Sequence, residues 1–328
     1  MYLLVIKQLV TMMLIGLTGF IFAKIFKVDE KEQKFISRLL LYFINPFLIL
    51  SSFNKDFSLL RLKQLLIAIF IALLLHIVLI LVASLFSITK NPVKKDYNAI
   101  NKLAMIFTNC GFVGIPLING IFGEDGVFFL MGFLVIFNIA LWTYGYFQMS
   151  GSMNPKKIIT NPNVIAVFLG LLIFCLPFNL PEFIARPVSM IGSMNTPLAM
   201  ILIGILFADL KLPRKTEKSA ELKQNELSRS QYVFMLLKTL FVRLVVSSFA
   251  SLLLLLLCYK IIKNVPDSRL IIFVIYICSL CPAATSVPSL ACLFEKDSSY
   301  ASLLVSLSSL LCMLTIPLFV ALGEIFIK

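Results

Sequence analysis

Acid is what this sequence has least of where it would matter most. Only 16 of its 328 residues are Asp or Glu, against 29 Lys and Arg, and no acid falls well inside an apolar run. Carboxylates inside a membrane are the usual carriers of coupled protons or cations, so a tightly coupled symporter of the carboxylate kind is disfavoured. Backbone carbonyls remain able to hold sodium, and coupling to H+ or Na+ stays open. Histidine is just as scarce: with a single His no HExxH metal motif can form, and no Ser, His and Asp set is placed to meet. An enzyme is not expected, nor any cofactor or metal.

Long polar stretches are missing too. Hydrophobic residues make up 60% of the chain and charged ones 14%, with a mean hydropathy of +0.99, far outside the range of soluble domains. The basic excess is scattered over short connections and forms no module for nucleic acid. The seven Cys lie in or at the ends of apolar runs and read as small apolar fillers, not a disulfide framework. Cys278 and Cys281 form a CxxC without the second pair or the His that a metal site needs. What remains is an all-α polytopic membrane protein.

A spanning helix takes about 20 apolar residues. Apolar runs near 3–23, 36–53, 64–88, 98–121, 127–149, 162–178, 184–208, 232–259, 270–294 and 299–322 predict ten transmembrane helices. The opening run lacks a basic stretch and a small-residue cleavage site, so it reads as the first span and not a signal peptide. Of the 29 Lys and Arg, 18 fall on the connections that follow odd-numbered spans and nine on the termini and alternate connections. The positive-inside rule then places both termini outside a cytoplasmic membrane. Lys238 and Arg243 fall within the eighth span, where Lys238 can snorkel to the headgroups. Residues 210–231 read as a polar cytoplasmic linker, and a regulatory site there is the less favoured reading.

Comparing the chain with itself exposes a repeat. At a shift of 172, VGIPLINGIFGED (113–125) falls on TSVPSLACLFEKD (285–297), matching Pro116 with Pro288, Phe122 with Phe294 and Asp125 with Asp297. YFINPFLIL (42–50) echoes GSMNTPLAM (192–200), each with an Asn just before a Pro. The chain therefore divides into a first five-helix repeat (1–149), a connector (150–161) and a second repeat (162–328). Five is odd, so the second repeat enters the membrane from the opposite side, a 5+5 inverted repeat.

The fourth and ninth spans carry breakers where an unbroken helix is cheapest. Pro removes a hydrogen bond and Gly loosens the turn, and hydrocarbon satisfies none of the freed groups, so such backbone survives inside protein or beside water. If the two spans cross at their breaks, four half-helix ends meet near the midplane, and the N-terminal ends offer N–H groups and partial positive charge to an anion. The competing reading of each break is a Pro kink with no ligand. Asn109, Thr285 and Ser286 supply polar side chains beside the breaks, and Gly111, Gly114 and Ala283 leave the backbone approachable.

NCGFVGIPL in the fourth span, CPAATSVPSLACLFEKD in the ninth and INPFLIL in the second together resemble the auxin efflux carrier family, in its bacterial branch. That family includes plant auxin exporters and bacterial proteins assigned to malate, malonate and similar organic anions. The resemblance implies a fold related to bile-acid symporters and sodium/proton antiporters. Spans 1, 2, 6 and 7 would form a dimerising scaffold, and spans 3–5 and 8–10 a moving transport domain with helices 4 and 9 crossing. Asn109 and Pro116 carry over to the fourth-span crossing and Pro288 to the ninth. Cys281-Pro282 stands where the first break has Asn109-Cys110, which leaves Asn109 the stronger polar ligand.

Other polar residues carry two readings each. His76, mid-membrane in the third span, is a candidate proton site or a hydrogen-bonded core residue. Asn45 and Asn195 either cap freed carbonyls or contact substrate from the scaffold, and Asn138 is ambiguous in the same way. Asp125 and Asp297 read as caps of loops on opposite membrane faces. The function expected is a secondary transporter, active or facilitative, of a small organic anion such as a dicarboxylate or an auxin-like acid, by alternating access at the crossing. The alternative is a non-transporting membrane sensor that binds an anion and signals through 210–231.

Overall fold

In the computed structural model, residues 2–87, 92–151, 160, 162–176, 179–208 and 229–327 are described. Their regular secondary structure is helical, with one isolated β-bridge among the connecting residues. Most of the 150–161 connector and of the 210–231 linker lies outside them. In chain order the helices are α1 (Tyr2–Phe26), α2 (Glu30–Leu39), α3 (Asn45–Phe53), α4 (Leu59–Phe86), α5 (Pro92–Ile106), α6 (Ile115–Ala140), α7 (Tyr146–Ser150), α8 (Pro162–Cys175), α9 (Glu182–Ser193), α10 (Asn195–Ala208), α11 (Arg229–Phe241), α12 (Ser247–Ile262), α13 (Ser268–Leu280), α14 (Ser286–Leu293) and α15 (Ser298–Phe326).

Several of these join through wide π-helical turns. Leu40–Ile44 precedes Pro46, and Cys110–Gly114 precedes Pro116. Proline has no N–H for the carbonyl one turn back and its ring crowds that carbonyl, so the turn before it widens instead of stopping the helix. Two further π turns, Leu141–Gly145 and Val242–Val246, interrupt helices that contain no proline there.

Among the described residues seven helices are long and apolar enough to cross a membrane, and Pro162–Cys175 and Ser268–Leu280 are shorter apolar ones. The number of long helices thus falls below the ten expected spans, for a physical reason. The ninth span is split into pieces of 13 and eight residues by its break, and one run, Cys110–Ser150, takes in parts of two expected spans. That run is not straight. Gly123 adopts φ 63° inside α6, and the rings of Phe107 and Phe137 lie 5.7 Å apart, whereas 30 residues of continuous helix would separate them by about 45 Å. The chain therefore doubles back at Gly123. Glu295, which the shift of 172 places opposite Gly123, also takes a positive φ, 55°.

The polar groups sort to two ends of the bundle. Asp125, just past the reversal, pairs with Lys55 at 2.8 Å and Arg61 at 3.1 Å at the start of α4. Asp297 caps α15 by accepting from the N–H of Tyr300 and takes the hydroxyl of Tyr97 at 3.0 Å, near the start of α5. Both aspartates lie beside loops, at opposite ends of the 28-residue α4, but only Asp297 caps a helix; Asp125 is held by cations. The Tyr2 N–H donates to Glu324 Oε2 at 3.1 Å, so the start of α1 and the end of α15 share one face.

Two helix groups emerge from the packing. α1 lies against α10, and α3 against α8 and α9; α4 packs with α6 and α12, and α13 with α6 and α12, while α6 also touches α1, α3, α8 and α10. The α1–α10 pair runs parallel, since Lys24 Nζ at the end of α1 reaches the Ala208 carbonyl at the end of α10. Lipid tails give two apolar helices no hydrophobic reason to associate, so small residues and close van der Waals contact must do it. Here a Cβ on Gly204 would lie 1.8 Å from the Gly16 carbonyl oxygen, and one on Gly19 2.2 Å from that of Ile201. Gly204→Val is expected to lower stability by about 1–3 kcal/mol or more through overpacking, whereas Gly16→Ala, whose Cβ would meet its nearest atom at 3.5 Å, should be nearly neutral; melting temperatures of the two purified variants check this.

Candidate functional site

The breaks in the fourth and ninth spans meet. α5 ends at Ile106 and α13 at Leu280, and the extended residues that follow form an antiparallel β-bridge between Thr108 and Ala283. The Asn109 N–H donates to the Pro282 carbonyl at 2.7 Å, and the Ala284 N–H donates to the Phe107 carbonyl at 2.9 Å. The Ala283 N–H donates to Ser308 Oγ on α15 at 3.0 Å. Each break thus satisfies part of the other, as unwound backbone in apolar surroundings requires.

The carbonyls left at the ends of α5 and α13 are taken by a side chain from elsewhere. Arg243, in the π turn Val242–Val246, is 1% exposed. Its Nη1 donates to the Met105 carbonyl at 3.2 Å, and its Nη2 donates to the carbonyls of Ser279 and Cys281, each at 2.5 Å. One guanidinium therefore ties together the C-terminal ends of two helices, a task suited to its planar fork of donors. No carboxylate pairs with it among the described residues. Sequence reasoning passed over this residue; the available signal was a lone Arg inside an apolar span, which on physical grounds marks a functional position.

On the far side of each break the chain starts a new helix. Asn109 precedes the π turn, where its Oδ1 accepts from the Phe112 N–H at 3.4 Å. Its Nδ2, on a residue only 4% exposed, has no partner. Thr285 precedes α14, and Ser286 Oγ at its start is likewise shielded and without a partner. The first N–H groups of both helices have no acceptor within their own helix. Gly114 permits the close packing, since a Cβ there would lie 3.3 Å from Cys281 Sγ. Pro116 is buried at the head of α6, and its carbonyl accepts from Gln8 Nε2 on α1 at 3.2 Å. Pro288 lies within the first turn of α14.

The two echoing Asn residues also meet. Asn195 Nδ2 at the head of α10 donates to Asn45 Oδ1 at the head of α3, both side chains buried. A Cβ on Gly111 would lie 3.9 Å from Asn45 Nδ2, so this pair stands against the fourth-span break. Gly111 therefore faces Asn45 with room to spare, unlike Gly114.

Two expected residues stay apart. Asn138 donates to the Leu134 carbonyl of its own helix at 2.8 Å. His76 is 2% exposed, its Nδ1 lies 2.8 Å from the Ala72 carbonyl, and its ring packs 5.0 Å from that of Phe133. A carbonyl can only accept, so Nδ1 carries the proton, and Nε2 has no partner. A cavity of about 160 Å³ opens between α4, α5 and α11, lined among others by Ser87, Asn98, Asn101 and Lys238. It touches Met105 but none of the expected site residues.

Long apolar helices, two of them interrupted and joined through their backbones, define a multi-pass membrane protein. Comparison with known sequences gives the particular family: the model of the membrane transport protein family matches residues 4–320, and the chain belongs to that family, the auxin efflux carriers. It is also similar to an uncharacterized transporter of Methanocaldococcus jannaschii, 26% identical over 210 residues, which are 59% of this chain and 66% of that protein. The match thus spans just under two thirds of that relative.

The Asn45–Asn195 bond is open to a double-mutant cycle. Either single Ala substitution leaves a buried amide unpaired and should cost about 1–3 kcal/mol. The double substitution should cost less than the sum of the two singles, a coupling that melting temperatures of the three variants would register.

Proposed function

We propose that the chain is a secondary transporter, active or facilitative, of a small organic anion, most simply a carboxylate, which it binds where the fourth and ninth spans cross. The observation that carries this reading is the position of Arg243. Four half-helix ends meet at the crossing, two negative and two positive, each worth about half a charge. Arg243 covers the negative ends, at Met105 and at Ser279 and Cys281. At the positive ends, Asn109 Oδ1 accepts from the Phe112 N–H and the Ala284 carbonyl accepts from the Val287 N–H, but no cation or carboxylate is set against either among the described residues, and the shielded donors Asn109 Nδ2 and Ser286 Oγ there are unpaired. Such a place favours an anion.

Asn109, Ser286 and the N–H groups beside them hold the anion, with Thr285, Gly111 and Gly114 shaping the approach and Pro116 and Pro288 fixing the breaks. Asn45 and Asn195 face it from the second group of helices. Asn138 and His76 each bond within their own helix, and His76 keeps Nε2 free as the candidate proton site. Membership of a transporter family and the similarity to a protein named as a transporter support translocation over catalysis.

The motion proposed is an elevator-type displacement of spans 3–5 and 8–10 against spans 1, 2, 6 and 7. It is supported by the packing, which is denser within α4, α6, α12 and α13 and within the pairs formed by α1, α3, α8, α9 and α10 than between the two groups, which meet along α6. The reversal at Gly123 and its positive-φ counterpart at Glu295 favour ten spans in a 5+5 inverted repeat. In this reading the shared face of the Tyr2 and Glu324 ends lies outside the cytoplasmic membrane, and the parallel pair of spans 1 and 7 belongs to a scaffold that dimerises.

A panel of mono- and dicarboxylates tests the site through the rise in melting temperature that a native-state ligand produces. One class of carboxylate is expected to stabilise the protein, and Asn109→Ala should weaken its binding about 10-fold or more, as loss of a hydrogen bond to a charged group implies. No stabilisation of folded protein by any carboxylate would sink the substrate class. Flux of the stabilising acid into proteoliposomes then separates a carrier from a sensor, which would bind without flux.

A further inference from the structure

The three carbonyls that converge on Arg243 are the kind of ligand set that holds a hard cation. Sodium and its relatives are bound by oxygens, and the C-terminal ends of two helices supply both the oxygens and a partial negative charge. Two ends at about half a charge each sum to roughly one, which a single monovalent cation balances. The guanidinium of Arg243 sits there, 1% exposed, bonded to Met105 of one helix end and to Ser279 and Cys281 of the other. It has no carboxylate partner among the described residues, so the helix ends are its counter-charge. Its Nε carries no hydrogen bond, so its contacts to protein are those made by the fork at its tip.

The arrangement is also one-sided. At the shift of 172 that aligns the two breaks, the position matching Arg243 is Ile71, a buried aliphatic residue on α4. One charge serves both breaks, and it is delivered from one half only. The π turn Val242–Val246 that bears it shifts the register of the eighth span at this point, as such turns do.

From this we infer that Arg243 is a tethered cation occupying a monovalent-cation site at the crossing, and that removing its side chain uncovers that site to a small cation from solution. Arg243 is then a positioning residue: it holds the ends of α5 and α13 in register so that the donors beyond the breaks face one point. The inference rests on the geometry of the crossing and not on which solute is carried.

The full chain, purified in detergent, is melted in choline chloride, in sodium chloride and in choline chloride with millimolar guanidinium, all at equal ionic strength. The unaltered protein should melt at the same temperature in all three, and should retain no radioactive sodium. Arg243→Ala should melt about 5 °C or more lower in choline, and should recover part of that loss in guanidinium or sodium. A merely structural role would lower the melting temperature equally in every salt, and that result would overturn the inference. So would sodium binding by the unaltered protein.

If Arg243→Ala yields no folded protein in any of the salts, Arg243→Lys and Arg243→Met decide. A clearly higher melting temperature for Arg243→Lys supports the tethered cation, and equal melting of the two overturns it. Absence of carboxylate flux would remove the transport reading while leaving every one of these melting results in force, so the two fail separately.

Discussion

One guanidinium bonded to the ends of two helices is the interaction on which the rest of this protein turns. Interrupting a helix in apolar surroundings exposes carbonyls on one side of the gap and amides on the other, at several kcal/mol for each group left bare. The chain disposes of these groups unequally. Backbone pairing between Phe107 and Ala284 and between Asn109 and Pro282 satisfies the middle of each gap, and Arg243 satisfies the carbonyl side. The amide side keeps two shielded, unpaired donors, Asn109 Nδ2 and Ser286 Oγ. An interruption that might have been a defect becomes a polarised place, and its polarity is set by a residue outside both interrupted spans.

The surroundings serve to hold that place at a fixed distance from a second group of helices. α10 packs on the π turn that begins at Cys110, and the Asn45–Asn195 pair stands over Gly111. Behind it, the glycines of α1 and α10 bring two helices to backbone contact. Close backbone packing of this sort suits a rigid support, because few side chains are present to change rotamer. The α4, α6, α12 and α13 group, by contrast, is filled with large side chains, including Phe133 and Phe137 beside His76.

Much of this was legible in the sequence, for reasons that can be named. Pro116 and Pro288 with their neighbouring glycines and small residues announced the breaks, because proline and glycine act locally and act alike in any helix. The repeat at 172 announced that the breaks correspond, and Asn45 and Asn195 announced themselves by sharing a pattern. What escaped was whatever depends on one residue meeting another far along the chain. Arg243 has no echo in the first half, since Ile71 stands there, and a lone Arg inside a span does not by itself say which distant groups it meets. Asn138 and His76 invite a role as polar residues inside a span; Asn138 donates within its own helix, and His76 bonds its own helix through Nδ1 while its Nε2 is buried without a partner beside Phe133 and Phe137. Ten apolar runs likewise became fewer long helices, because a break shortens the ninth span and a reversal at Gly123 joins two others.

The pairing of the two gaps also has a bearing on how the protein is made. Phe107 finds its hydrogen-bonding partner at Ala284, 177 residues later in the chain, and at ordinary synthesis speeds of roughly 5–20 residues per second that partner arrives about 10–35 s afterwards. Through that interval the fourth span has to stay wound, wet or sheltered, since its extended form has nothing to bond. The pairing of the two breaks is therefore a late event of assembly. It closes when α13 and the residues after it are in place, with Arg243 already made ahead of them.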